Sequence, residues 1–237
     1  MKNVVMESIK ILQNNGLIVE AVDKVAVCRR RVQDHINRVK YFYKLMVKDG
    51  IIPEQYVDLN RLTSHDKDKL EPENLRKQAL RFSEDGEYSE QDIKDINDVV
   101  KRHVKSNKHH CEFWGEGDQN TNGMDCSAMP DTYLYEMMAD WAATAEERGS
   151  TIESYGSKSI NKRWFFSDHQ VEIMWKCINY LDKKVDPSQK RDYGLTYIDP
   201  AKFRKAVNHD SQNQEQIKER NSRRACKRMQ SVSIGNK

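Results

Sequence analysis

The five cysteines of this sequence, Cys28, Cys111, Cys126, Cys177 and Cys226, contain no Cys-x-x-Cys pair, lie far apart and are odd in number. That spacing excludes a zinc ribbon and offers no disulfide framework, so reduced thiols in a cytoplasm are expected. No apolar run reaches membrane-spanning length. Near the start, Val4-Val5-Met6 and Ile9 to Leu12 are broken by Glu7 and Lys10, and no small-residue cleavage site follows, which argues against a secretion signal. Glycine and proline are scarce, 10 and 5 residues in 237, so turn punctuation is sparse and helices are favoured. Charge of one sign is also missing. The 40 basic residues are nearly cancelled by 37 acidic ones, and a net charge of +3 is too small to imply nucleic-acid binding over the whole molecule, so that only local clusters are expected to bind polyanions.

What is present is a run of helical patterns, and we expect an all-α fold with a main domain over 1–185 and a polar, basic, partly helical tail over 186–237. A short first helix is expected over Val4 to Gln13, stopped by Asn14-Asn15-Gly16. A longer one runs from Val19 to Val47 with a stripe through Val25, Val32, Ile36, Val39, Phe42, Tyr43 and Met46, closed by Asp49-Gly50. Residues 67–82 read as helical. So does the stretch from Ser89 to Val104, where Ser89 and Asp92 have the spacing of a capping box. Gly115 to Gly123 reads as a polar loop, Met129-Pro130-Asp131 opens another helix, and Arg148 to Lys158 reads as a loop of small polar residues. Ser167 to Gln170 caps a helix through Leu181. In the tail, helical pieces are expected at Pro200 to Val207 and Asn213 to Met229, and the Arg220 to Arg228 cluster is expected to be solvated, with nucleic acid as its less favoured partner.

The chemistry concentrates in histidine and aspartate. His65-Asp66 places an imidazole beside a carboxylate, a pairing that suits a divalent metal and can bridge two, and Lys69 follows about one helical turn after Asp66. Three of the seven histidines, His103, His109 and His110, fall within eight residues; if the helix continues, His103 and His110 share a face. His35 borders the apolar stripe of the long helix, where a single histidine is ordinarily a satisfied core-edge residue. Glu136 and Asp140 stand four apart among Tyr133, Met137, Met138 and Trp141; a solvated face is the ordinary reading, but carboxylates in so apolar a setting usually have a cation. Lys158, Lys162 and Arg163 bring three cations into a short polar stretch as candidate phosphate contacts, against the alternative of a solvated loop.

Taken in order, His35-Ile36-Asn37-Arg38-Val39, His65 to Lys69, His103 to His110 and Glu136 to Trp141 resemble the motif order of the HD-domain superfamily, helical metalloproteins named for a His-Asp pair. The resemblance covers about residues 30 to 183 and is strongest to a branch frequent in tailed phages and bacteria, which would place the chain in a host cytoplasm if phage-encoded. It implies that His35, His65, Asp66 and Asp140 ligate one metal, that Asp66 bridges to a second, and that His103 with His109, His110 or both completes the second site. The ions implied are Mn, Fe, Co, Ni or Zn, or else Mg. Glu136 would orient a ligand imidazole and Lys69 would meet a phosphate oxygen. The implied activity is phosphohydrolysis of a nucleotide or other small phosphorylated molecule. Two alternatives stand beside it, a binuclear-iron oxygenase of the same superfamily and a phage protein that sequesters a ligand without turnover. No Gly-Tyr-Pro element of cyclic-dinucleotide phosphodiesterases is present.

Overall fold

A computed structural model describes residues 17–82, 88–118 and 123–191, with side chains from 24 onward except at 116–118. The expected helix over Val4 to Gln13, the two tail helices and the Arg220 to Arg228 cluster lie outside those residues. The fold is all-α, as its composition implies.

Helix α1 (Leu17–Lys48) carries the buried stripe Cys28, Val32, Ile36, Val39, Phe42, Tyr43 and Met46. It ends in a Schellman arrangement: Gly50, at φ 68°, donates to the Val47 carbonyl and Ile51 donates to that of Met46. Single 3-10 turns at Glu54–Tyr56, Arg61–Thr63 and Lys67–Leu70 lead to α2 (Pro72–Ala79). The continuous helix expected over 67–82 is therefore broken. Pro72 excludes the α conformation at the residue before it, and Glu71 is accordingly extended at ψ 138°.

Helix α3 (Glu90–Ser106) starts at the expected capping box, with the Asp92 amide donating to Ser89 Oγ and the Ser89 amide donating to Asp92 Oδ2, each at 3.1 Å. A single turn, α4 (Cys111–Trp114), follows. The Gly115 to Gly123 loop contains strand β1 (Glu116–Asp118), paired antiparallel with β2 (Gly123–Asp125), and β2 runs parallel to β3 (Trp164–Phe165).

Helix α5 (Asp131–Arg148) is buried on nearly every side, with Leu134, Met137, Met138, Ala139, Trp141, Ala142 and Ala143 all enclosed. Helix α6 (Ile152–Ser159) occupies what reads as a loop, and it forms because remote groups cap it. Thr151 accepts from the Ser154 amide, while the Asp182 carboxylate accepts from the Ile152 and Glu153 amides at 2.7 and 3.0 Å. Helix α7 (Asp168–Leu181) begins at the expected Ser167/Gln170 capping box.

The main core lies between α1, α5 and α7, and a smaller cluster of Cys28, Val32, Ile36, Leu75, Ala79 and Phe82 joins α1 to α2. Beyond residue 185 the chain still lies against this body as far as it is described: Arg191 donates to the Glu147 carbonyl and pairs with Asp34 at 3.0 Å. Among the described residues, no helix is long and apolar enough to cross a membrane.

Candidate metal centre

Five segments deliver histidines and carboxylates to one point. Helix α1 brings His35, α5 brings Glu136 and Asp140, the turn before Lys67 brings His65 and Asp66, the last turn of α3 brings His103, and the α3–α4 connection brings His109 and His110. Asp66 sits in the left-handed region at φ 54° and ψ 15°, a conformation that short polar side chains tolerate. That bend lets two consecutive residues, His65 and Asp66, both be buried, at 2% and 0% exposure. Helix α3 does not continue to His110. Asn107 is extended at ψ 118°, so the two later histidines reach the centre from a loop and not from a shared helix face.

The Asp66 carboxylate joins two groups of ligand atoms. Its Oδ2 lies 3.4 Å from His35 Nε2 and 3.7 Å from His65 Nε2, and Asp140 Oδ1 is 2.8 Å from His35 Nε2. Its Oδ1 lies 3.3 Å from His103 Nε2 and 3.4 Å from His109 Nε2, with His110 Nε2 2.8 Å from His103 Nε2. In each group the four ligand atoms are within 4.8 Å of one another. His65 Nε2, His109 Nε2 and Asp66 Oδ1 are buried without a well-formed hydrogen bond, a costly state for polar atoms that a cation would relieve.

The outward nitrogens of two ligand-type imidazoles are held by carboxylates. His65 Nδ1 lies 2.8 Å from Glu136 Oε1, and His103 Nδ1 lies 2.8 Å from Asp68 Oδ2. An ionised carboxylate there takes the imidazole N–H and leaves the lone pair on Nε2, turned toward the centre. For His103 this puts a lone pair 2.8 Å from His110 Nε2 and 3.3 Å from Asp66 Oδ1, so acceptors converge where a cation fits. Neutral imidazoles mixed with carboxylates are the donor set of divalent transition metals. The residues present fit one or two such ions.

Electrostatics divide the same way. Burial lowers the His35 pKa, but hydrogen bonds and charges from Asp140 and Asp66 outweigh it and raise it to about 9. His109 is also raised, its burial overcome by Asp66. His103 and His110 are lowered, chiefly by burial, with neighbouring cations and imidazoles adding to it, so both stay neutral. Burial alone would raise Asp66 and Asp140, yet Lys69 and the imidazoles hold Asp66 ionised and His35 does the same for Asp140. Lys69 Nζ donates to Asp66 Oδ2 at 2.6 Å.

Beside the centre is a cavity of about 330 Å³, walled by His35, Lys69, His109, His110 and Asp140 at one end. Of the three cations singled out beyond the ligands, Arg163 lines it, whereas Lys158 and Lys162 do not. Lys158 stands exposed on α6, 3.4 Å from Ser154 Oγ, and Lys162 donates to the Ser157 carbonyl at 2.6 Å. Arg31, Arg81 and Arg148 line the same cavity although no local pattern marks them, and Asp68 was equally unmarked between two lysines.

A comparison with protein families matches residues 24–180 to DUF5662, a family of unknown function. The chain belongs to that family. No curated protein and no solved structure matches it. Both ligand groups, Asp68, Glu136 and the cavity arginines from Arg31 to Arg163 fall inside the DUF5662 span, so the centre is part of the family region and not of the flanking chain.

Proposed function

We propose that the chain is a metal-dependent phosphohydrolase acting on a nucleotide or another small phosphorylated molecule. The observation that carries this reading is the shared carboxylate of Asp66, each of whose oxygens faces its own group of imidazoles. His35, His65, Asp66 and Asp140 would hold one ion, and Asp66, His103, His109 and His110 the other. When bound, a pair of divalent ions supplies Lewis acidity toward a phosphoryl group and a water made nucleophilic at neutral pH. The resemblance of the motif order to that of HD-domain proteins supports the same reading.

The protein's own groups divide the work. Glu136 and Asp68 keep His65 and His103 oriented with Nε2 inward. Lys69, partly exposed to the cavity, carries the charge that would meet a phosphoryl oxygen. Trp141 and Trp164, both buried with ring centres 6.0 Å apart, form an aromatic part of the cavity wall. The four described thiols, all free and buried, suit a reducing cytoplasm.

A second reading, a binuclear-iron oxygenase, is favoured by the nitrogen-rich second group with its three imidazoles. Elemental analysis of protein purified without added metal or chelator, beside His65→Ala and Asp66→Ala, tests both. Manganese, cobalt, nickel or magnesium with phosphate release from a nucleotide panel supports hydrolysis. Two irons with oxygen uptake would replace it by the oxygenase. Wild-type protein that neither contains nor takes up any of these metals, zinc included, would overturn both.

A further inference from the structure

Past the ligands, the cavity is lined by further cations. Along α5 its wall runs from Asp140 through Trp141, Thr144 and Ala145 to Arg148, eight residues from Asp140, or about 12 Å of helix at 1.5 Å per residue. Arg148 is exposed at the end of that run, and Arg163 comes in from the turn before β3. The Arg163 backbone is pinned: its amide donates to the Ser159 carbonyl at 3.0 Å, and its carbonyl accepts from the Met124 amide at 2.9 Å. The turn depends on Asn161, at φ 51°, whose side chain accepts from the Phe166 amide at 2.9 Å. The guanidinium lies 4.8 Å from the Trp164 ring centre, a cation–π seat that fixes its direction.

Tyr155 ties this end to the centre. Its ring packs edge-on against Trp141 at 4.7 Å, and Arg163, Arg148 and Asp140 all act on its hydroxyl electrostatically. Three carboxylates stand on the cavity wall beside the two arginines. Asp140 is taken up by His35, Glu147 by Arg31, and Glu112 is the third. A guanidinium has five N–H donors, so one that already has a partner still has others to offer.

We propose that Arg148 and Arg163, grouped about Tyr155, form a second anion-binding place in the cavity, separate from the ligand groups. The ligand is then an elongated organic phosphate with an anionic group at each end, one at the metal centre and one at the arginines. The assignment of the first end rests on the phosphohydrolase reading; the second end does not.

The test uses the full-length protein and two probes that are not hydrolysed, a linear alkane carrying a phosphonate at each end and the matching alkyl monophosphonate, titrated calorimetrically. With metal bound, the two-ended probe should bind about tenfold tighter than the one-ended one, as expected for an added charge-assisted contact. Arg148→Gln and Arg163→Gln should each remove about that factor for the two-ended probe, leaving the one-ended probe and the metal content unchanged. Lys101→Gln, which deletes an exposed charge on α3, should change neither. After chelation the one-ended probe should bind only at the arginines and be weakened by the same two variants. Metal-loaded protein with equal affinity for both probes, or arginine variants without effect, would overturn the second anion place alone. A protein that takes up no metal yet binds the one-ended probe through Arg148 and Arg163 would overturn the phosphohydrolase reading and keep this one.

Discussion

The two ligand groups share Asp66 and differ in almost everything else. The first, His35, His65, Asp66 and Asp140, balances two imidazoles with two carboxylates, and His35 there is pushed toward its charged form. The second, Asp66, His103, His109 and His110, has one carboxylate for three imidazoles, and burial keeps two of those neutral. The first group therefore asks for positive charge. The second offers lone pairs already free of protons. A carboxylate-rich place suits a harder ion and a nitrogen-rich one a softer ion, so the pair need not fill at the same concentration or with the same metal.

Asp66→Ala should abolish the difference altogether by emptying both places. Phosphate release should fall by about a thousandfold or more, since the ions contribute several kcal/mol, and elemental analysis should find neither ion. His110→Ala and Asp140→Asn should separate the two, each leaving about one ion per chain on a metal titration. Loss of both ions in either variant would mean that the groups act as one.

The orienting carboxylates provide a smaller contrast. Asp68→Asn should weaken binding at the second group by about 10–100-fold, and Glu136→Gln should do so at the first, with a smaller effect on the second because Glu136 Oε1 also lies 3.5 Å from His109 Nδ1, the fold in both cases unchanged by circular dichroism. Equal effects of each change on both ions would remove the assignment of Asp68 to His103 and of Glu136 to His65.

The smallest expected effect is on the stability of the chelated protein, and it has opposite signs for His35 and His109, whose pKa values are raised, and for His103 and His110, whose values are lowered. His35 has a folded pKa of about 9, above its unfolded value near 6.5, so its contribution is complete below pH 6.5 and is lost as the pH rises to 9. His103 and His110 are lowered in the fold, so they oppose folding as the pH falls below 6.5. Denaturant titration across this range should give a stability maximum near pH 6.5, with changes on the order of 1–3 kcal/mol on the alkaline side. Metal-loaded protein should lack the alkaline loss, because the imidazole is then committed to the ion.

Much of this architecture can be read along the chain because its causes are local. Ser89 with Asp92, Ser167 with Gln170, and Asp49-Gly50 mark helix ends within four residues of themselves, and the structure uses all three. Helix α6 cannot be read that way, since two of its three capped amides donate to Asp182, about thirty residues later. The candidate metal centre is intermediate. Its histidines and aspartates stand out by residue type, but the path of His109 and His110 depends on Asn107 leaving the helix, and Asp68 is only recognisable once His103 has folded against it. Arginines at 31, 81 and 148 have no local signature, because what gives them meaning is the cavity between α1, α5 and the β3 turn.

Position 66 has to meet two demands at once. Its backbone occupies a region open mainly to glycine, asparagine and aspartate, and its side chain must present two charged oxygens to opposite neighbours. Glycine and asparagine would keep the bend and lose the bridge; glutamate would keep the charge and fit the bend poorly. No common residue but aspartate satisfies both conditions, so a library randomised at this codon and selected for metal retention should return the starting residue and little else.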